Sequence, residues 1–314
     1  MTDQINHKRD IRVIALDIDG TLLDSKHALT PRVEQAVKAA AAKGIQIVLA
    51  TGKTRHSTVK LVEQLGIKAP AVYLQGLVIY DEDARITHQW KLDLAVARQV
   101  ITFAEDRGFQ VVGFCEDRIL ARTDDEKLRQ GFSNYHEIAP EVVGPLQNIL
   151  RDIPVNKLIA MGDPRAIKAL RWQLDLQLGG KARTMQAGVP WMVEILPPGT
   201  SKGIALKQLL KDMKVNPENV LAVGDAENDI EMIQLAGVGV AMGQAAQNVK
   251  DTADWVTKSC DEDGVAVAIE HYVLTEPEAA KVESIPASAP AIVIEPTAAV
   301  TPEEDAAEKG KADA

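Results

Sequence analysis

Cysteine is scarce in this chain of 314 residues: Cys115 and Cys260 are the only two. They are too few for a disulfide scaffold or a four-cysteine zinc site, and they read as buried thiols in a reducing compartment. No run approaches the roughly eighteen uninterrupted apolar residues of a membrane span. The opening MTDQINHKRD is charged and has no apolar stretch, so no secretory signal is expected. Positive charge is not in excess either. The 35 Lys and Arg against 45 Asp and Glu leave a formal charge of −10, which disfavours a general nucleic-acid or anionic-membrane surface but still allows a local basic pocket. What is present is ordinary globular material, 46% hydrophobic and 25% charged, enough for a sizeable core. The length suggests about two domains in a soluble, cytoplasmic protein.

The negative charge is concentrated at one end. Residues 275–314 carry nine acids, three lysines and five prolines, a net of −6, which leaves −4 for the rest. Too little apolar area is available there to offset the ordering entropy, so 275–314 is expected to be a disordered Ala/Pro/Glu-rich tail. Weak docking of a partner is its functional alternative.

The rest alternates. Ile11 to Leu16 is a β-branched apolar run stopped by Asp17-Ile18-Asp19-Gly20, the pattern of a buried strand and turn. Thr30-Pro31 supplies an N-cap and a first-turn proline for a helix closed near Gly44. A strand over Ile45 to Ala50, a helix through Leu61 and Leu65 to Gly66 and a strand over Ala71 to Leu74 follow. This rhythm predicts a parallel sheet with crossover helices. After Tyr80 the order changes to helix Leu94 to Arg107 with strands Gln110 to Cys115 and Ile119 to Arg122. It recurs as strand Asn156 to Met161, helix Pro164 to Leu178 and strands Ala182 to Gln186 and Trp191 to Leu196. From Lys202 the βα rhythm returns with helix Gly203 to Lys211, strand Val220 to Val223 and helix Asp229 to Leu235. We therefore expect a core built from 1–81 and 198–274, with an α+β segment, 82–197, carrying an antiparallel sheet and inserted between them.

In a parallel sheet, ligands bind outside the carboxyl ends of the strands. Those ends here carry Asp17 and Asp19, Thr51, and Asp225 with Asp229. Paired carboxylates repel and raise one another's pKa unless a cation neutralises them, and hard oxygen donors without histidine or thiolate nearby favour Mg2+. Each residue also has a plain structural use. Asp-Gly makes turns, Thr51 caps a helix, Lys202 sits in a first helical turn, and GDAEND opens a helix. Their joint placement at strand ends is what speaks for a site. The GKT of Gly52-Lys53-Thr54 is not a phosphate-binding P-loop, because the glycine required five positions earlier is Ile47.

These residues resemble the motifs of the haloacid dehalogenase (HAD) superfamily of phosphohydrolases, specifically the Cof-like type-IIB branch. The first motif appears as Asp17-Ile18-Asp19-Gly20-Thr21-Leu22-Leu23, and the second as Ala50-Thr51-Gly52. The third is Ser201-Lys202-Gly203, and the fourth Gly224-Asp225-Ala226-Glu227-Asn228-Asp229. The closing stretches Ala236-Gly237 to Ala241-Met242-Gly243 and Asp263-Gly264-Val265-Ala266 also match, so the likeness runs from about Arg12 to Ile269. Three positions depart from the branch's pattern: Lys53 for Arg, and Gln75 and Gln244 for Asn. A point charge replaces a planar fork at the first, and the two amides are each one methylene longer.

The resemblance implies a Rossmann-like core with a type-IIB cap and a Mg2+-dependent phosphomonoesterase acting on a small phosphorylated metabolite. It further implies Asp17 as nucleophile and Asp19 as acid and base. Thr51, Gly52, Lys202 and Asn228 would hold phosphate, and Asp17, Asp19 (through its backbone carbonyl), Asp225 and Asp229 would serve the metal. On that reading Asp17 is an ordinary carboxylate, ionised at neutral pH. Arg118, Arg122, Arg183 and Trp191 are candidate ligand contacts in the cap. A phosphotransferase or mutase, or a phosphate-ligand sensor without turnover, is the alternative.

Overall fold

The structure, a computed structural model, describes residues 10–186 and 189–275, so the expectation for the acidic tail falls outside the described residues apart from Thr275. Along the chain the first elements are β1 (Val13–Leu16), α1 (Pro31–Ala42), β2 (Gln46–Ala50), α2 (Val59–Leu65), β3 (Ala71–Tyr73), β4 (Val78–Tyr80) and β5 (Ile86–Gln89). All four residues of β1 are fully buried, because the strand is covered on both faces. Ile14 and Leu16 pack with Val37 and Ala40 of α1 on one side, while Val13 and Ala15 join a second cluster on the other. The Thr30 hydroxyl accepts from the Val33 N–H, as its N-cap position predicts, and Pro31 opens α1.

A second group follows: α3 (Leu94–Glu105), β6 (Gln110–Cys115), β7 (Arg118–Ala121), α4 (Glu126–Asn134), β8 (Glu141–Val142), α5 (Leu146–Ile149), β9 (Lys157–Met161), α6 (Pro164–Leu178), β10 (Arg183–Met185) and β11 (Met192–Leu196). The chain then gives α7 (Lys202–Met213), β12 (Val220–Gly224), α8 (Ile230–Leu235), β13 (Val238–Ala241), α9 (Gln247–Lys250), β14 (Trp255–Val256) and α10 (Gly264–Ile269).

Two sheets result. The larger has the order β14-β13-β12-β1-β2-β3-β4-β5, parallel as far as β3 and antiparallel over the last two pairings. The chain thus leaves this sheet after β5 and returns beside β1 as β12, Val220 pairing with Val13. The hairpin β4–β5 was not read from the sequence. It prolongs the core sheet to Gln89, inside the stretch expected to belong to the insertion. The smaller sheet, the cap, has the order β10-β11-β9-β6-β7-β8. It is mixed rather than purely antiparallel, because the two-residue β8 pairs parallel with β7. Helices α3 and α6 cover one of its faces, burying Val111, Leu158, Ala160 and Val193. Residues from the other face line a cavity.

Gly76 illustrates how tightly the core positions its site. Its φ is +97° and a Cβ there would run into the Ser201 backbone, one residue before Lys202. Only glycine lets the turn between β3 and β4 lie against the start of α7. Cys115 and Cys260 are free and buried, as expected. No helix among the described residues is long and apolar enough to cross a membrane.

Candidate active site

Three loops at the carboxyl ends of β1, β12 and β2 meet at one place. Asp17 follows β1 directly, and its N–H is still in the ladder, donating to the Val223 carbonyl at 3.1 Å. Lys202, the first residue of α7, is 2% exposed and donates from Nζ to Asp17 Oδ1 at 2.6 Å and to Asp229 Oδ1 at 2.8 Å. The other Asp229 oxygen accepts from the Asp225 and Ala226 N–H groups, each at 3.1 Å. Asp229 is fully buried, and both its oxygens are engaged. Asp17, Asp225 and Asp229 each offer a carboxylate oxygen within 4.8 Å of the others. Gly20 lies against this group: a Cβ on it, at φ +75°, would strike the Asp225 carboxylate.

The charge in this cluster is unbalanced. Three carboxylates face one ammonium, a net of about −2 if all are ionised, with little water to screen it. Burial lowers the Lys202 ammonium's hold on its proton, but Asp17 and Asp229 outweigh that and carry its pKa above the ordinary value. Burial pushes the Asp17 carboxyl well above the usual carboxylate range; Lys202 opposes the rise, and Asp229 and Asp225 add to it. Burial also lifts Asp225, to about 6, with Asp229 contributing. The ordinary pKa expected of Asp17 therefore does not hold for the bare protein, because the strand end is buried more deeply than its motif reveals. An all-oxygen, acidic, buried donor set of this kind fits a hard divalent cation.

Asp19 is separate from that group. Its side chain is 37% exposed, with Oδ1 3.3 Å from Lys53 Nζ and 3.2 Å from His27 Nδ1. The carboxylate thus stands toward the cavity and not in the acidic cluster. Thr51 closes β2, is 1% exposed and accepts the Lys53 N–H on its hydroxyl at 3.2 Å. Asn228 donates from Nδ2 to Gln75 Oε1 at 2.8 Å. Gln244 lies behind the cluster, donating to the Gly20 carbonyl and accepting from the Cys260 N–H, so its extra methylene does not reach the cavity.

All of Asp17, Asp19, Thr51, Gly52, Lys202, Asp225 and Asn228 line one cavity of about 960 Å³, whose remaining wall comes largely from the cap. The loop after β2 is tied to that wall residue by residue. Lys157 donates to the Gly52 carbonyl at 3.2 Å, and Lys53 donates to the Tyr135 carbonyl. Glu137 accepts from the Thr54 N–H at 3.0 Å and from the Thr54 and Ser57 hydroxyls.

Of the four cap contacts expected, only Trp191 lines the cavity. Arg118 pairs with Glu141 at 2.8 Å and Arg122 with Glu105 at 2.9 Å, both exposed, and Arg183 donates to the Thr200 carbonyl. His27, Lys157 and Glu194 are among the lining residues that escaped the sequence reading. His27 gave no signal beyond the turn at Asp24, whose carboxylate accepts from the Lys26 and Ala28 N–H groups. Lys157 and Glu194 did give one: a charged residue inside an otherwise apolar strand needs a buried partner. They form that pair at 2.8 Å, both under 5% exposed.

A family profile described as haloacid dehalogenase-like hydrolase matches residues 14–269. The chain is 30% identical over 274 residues to the 5-amino-6-(5-phospho-D-ribitylamino)uracil phosphatase YcsE of Bacillus subtilis, covering 84% of this chain and 97% of that protein. It is 32% identical over 276 residues to the chloroplastic endoribonuclease YBEY of Arabidopsis thaliana, covering 85% of this chain but spanning only 47% of that longer protein. A crystal structure of a haloacid dehalogenase-like hydrolase from Bacteroides thetaiotaomicron superposes with a TM-score of 0.76 at 29% identity, over 83% of this chain and 99% of that one. Fold, motif order and similarity agree: the chain belongs to the haloacid dehalogenase-like hydrolases, in their Cof-like type-IIB branch of phosphatases.

Proposed function

We propose that this protein hydrolyses the phosphomonoester of a small metabolite, a sugar phosphate or a cofactor phosphate, through an aspartyl-phosphate on Asp17. The observation that carries this reading is the buried Lys202 held between Asp17 and Asp229, with Asp225 beside them, at the floor of the cavity. Such a floor offers an anion both a cation and an oxygen nucleophile at one point.

Asp17 and Asp225 would hold Mg2+, with Asp229 behind them, since both of its oxygens already have partners. The metal would supply positive charge against the phosphate oxygens and keep Asp17 ionised despite its burial. Asp17 attacks phosphorus, and the bond to the leaving oxygen breaks with its electron pair. That oxygen takes the proton of Asp19, which faces the cavity. Asp19 then removes a proton from water, whose oxygen attacks the same phosphorus and releases phosphate and free Asp17. Lys202, the Thr51 hydroxyl and the backbone after it stabilise the charge on the equatorial oxygens. Asn228 lies at the edge of that site, where Gln75 fixes its amide.

Asp19→Asn tests the acid. Turnover of alkyl phosphates should fall about 10²- to 10⁴-fold, and that of p-nitrophenyl phosphate much less, since its leaving group needs no proton. Equal losses on both substrates would remove Asp19 from the acid role. Metal removal gives a second test, read without turnover. Asp225 has its pKa raised in the fold, so the folded metal-free protein binds more protons than the unfolded chain between the ordinary value and about 6. Stability in EDTA should therefore fall as pH rises through that window. The increase in melting temperature on adding Mg2+ should be larger at pH 7.5 than at pH 5, and hydrolysis lost in EDTA should return with the metal. A shift independent of pH, or full activity in EDTA, would refute the metal assignment.

A further inference from the structure

Resting on that hydrolase reading, the surroundings of Asp19 say how its proton is aimed. Unlike the buried acids near it, Asp19 has a side chain that is 37% exposed. A carboxyl so placed turns about two single bonds unless something holds it, and proton transfer demands a fixed direction. Two groups hold it, both at the same oxygen. Lys53 Nζ lies 3.3 Å and His27 Nδ1 3.2 Å from Oδ1, and among the described residues no hydrogen bond reaches Oδ2. With Lys53 already donating to Oδ1, Nδ1 is assigned as the protonated nitrogen of the His27 ring. A carboxylic acid carries its proton on one oxygen and accepts on the other. Two donors on Oδ1 therefore leave Oδ2 to carry the proton.

Both donors are fixed in turn. Lys53 is 8% exposed; its N–H rests on the Thr51 hydroxyl, its carbonyl accepts from the Leu74 N–H at 3.1 Å, and the Tyr135 carbonyl of the cap accepts from its ammonium. His27 sits in a closed turn. Its N–H donates to the Asp24 carbonyl at 2.9 Å, and the Asp24 N–H donates to the Ala28 carbonyl at 3.0 Å. Its φ is +57°, a conformation that histidine adopts more readily than most residues. The His27 ring stands 4.9 Å from that of His136, the residue after Tyr135. One short piece of the cap thus touches both supports of Asp19. Lysine stands at position 53 where the branch has arginine. A guanidinium fork can fix a carboxyl's plane alone, whereas a single ammonium leaves it free to swing. His27 supplies the second direction.

We infer that Lys53 and His27 are positioning residues for the acid. Together they hold Oδ1 of Asp19 and aim Oδ2 at the leaving oxygen, and the cap residues Tyr135 and His136 keep both donors in place.

Benzyl phosphate and p-nitrophenyl phosphate test this, being similar in size while only the first has a leaving oxygen that must be protonated. Lys53→Met should lower kcat/KM about 100-fold on benzyl phosphate and about threefold on p-nitrophenyl phosphate, the smaller loss reflecting a positive charge removed from near the phosphate of both. Lys53→Arg keeps a donor and should return benzyl phosphate to within about fivefold of the parent. His27→Gly accepts the positive φ and deletes the contact; it should cost about tenfold more on benzyl than on p-nitrophenyl phosphate. His27→Asn places an amide nitrogen where Nδ1 stands and should restore that ratio. Crystal structures of Lys53→Met and His27→Gly read the placement without turnover, and the Asp19 carboxylate should have moved in both. If each variant loses equally on the two substrates, or the carboxylate keeps its place in both structures, the positioning inference is overturned and the hydrolase reading stands. If the parent releases phosphate from neither compound, nor from a panel of sugar and cofactor phosphates, the hydrolase reading falls. A carboxylate displaced in both structures then still upholds Lys53 and His27 as its holders, and an unmoved one overturns both readings.

Discussion

Asp17→Asn should lower phosphate release by a factor of about 10⁴ or more, the scale on which loss of a nucleophile is felt, while the protein remains folded. The reason is geometric. Asp17 has one oxygen on Lys202, which leaves the other to meet phosphorus, and no second carboxylate can substitute for it. Asp229 is closed in, with one oxygen on Lys202 and the other on two backbone N–H groups. Asp225 is displaced from the Lys202 contact. The fold should tolerate the change because the variant removes one of three mutually repelling acids from a buried place. Its thermal midpoint in EDTA should equal or exceed that of the parent. The check is a phosphate-release assay alongside a melting curve, with mass spectrometry for a phosphorylated Asp17 in the parent. Retention of activity within tenfold would eliminate the nucleophile.

Replacing Lys202 by Met should produce the largest change in stability. The ammonium is 2% exposed and bonded to two carboxylates that are themselves 5% and 0% exposed. Removing one member of a buried ion pair leaves uncompensated charge, which costs about 3–5 kcal/mol. For a chain of this size that corresponds to roughly 6–20 °C in melting temperature. The loss should be greatest at neutral pH and shrink as the pH falls, because protonating the stranded carboxylates relieves their repulsion. Mg2+ should recover part of it, since another cation then offsets the same charge. Activity should fall about 10³-fold even with metal present. A midpoint within 2 °C of the parent, measured in EDTA at pH 7.5, would show that Lys202 does not neutralise this cluster.

The floor of the site was legible in the sequence because its residues sit at fixed places in a repetitive pattern. Asp17 follows a buried strand, Lys202 opens a helix, and Asp225 and Asp229 flank the turn after β12. Wherever strand and helix alternate, these ends are brought to one edge, so motif order alone places them. The wall was not legible for the opposite reason. Helix α4 carries Phe132 and has only Leu128 and Phe132 buried, so its apolar period is too short to stand out. The hairpin β4–β5 follows a turn in which Leu74 and Gln75 take positive φ, a conformation that a Leu-Gln pair does not advertise. The expected arginine contacts failed because guanidinium groups on this surface find nearby carboxylates first. Lys157 and Glu194 were discoverable one at a time as charges in apolar strands. Their pairing required knowing that β11 lies beside β9.

The short loop after β2 carries a last consequence. Its residues 52, 53, 54 and 57 are fastened in turn to Lys157, to the Tyr135 carbonyl and to Glu137, all on the overlying sheet and its connections. That loop also supplies the backbone assigned to grip the anion. Lifting the roof would thus tug on the cradle itself, so that unlatching and loosening of the proposed phosphate site would form a single mechanical event. An inhibitor wedged between the two layers would act on both at once.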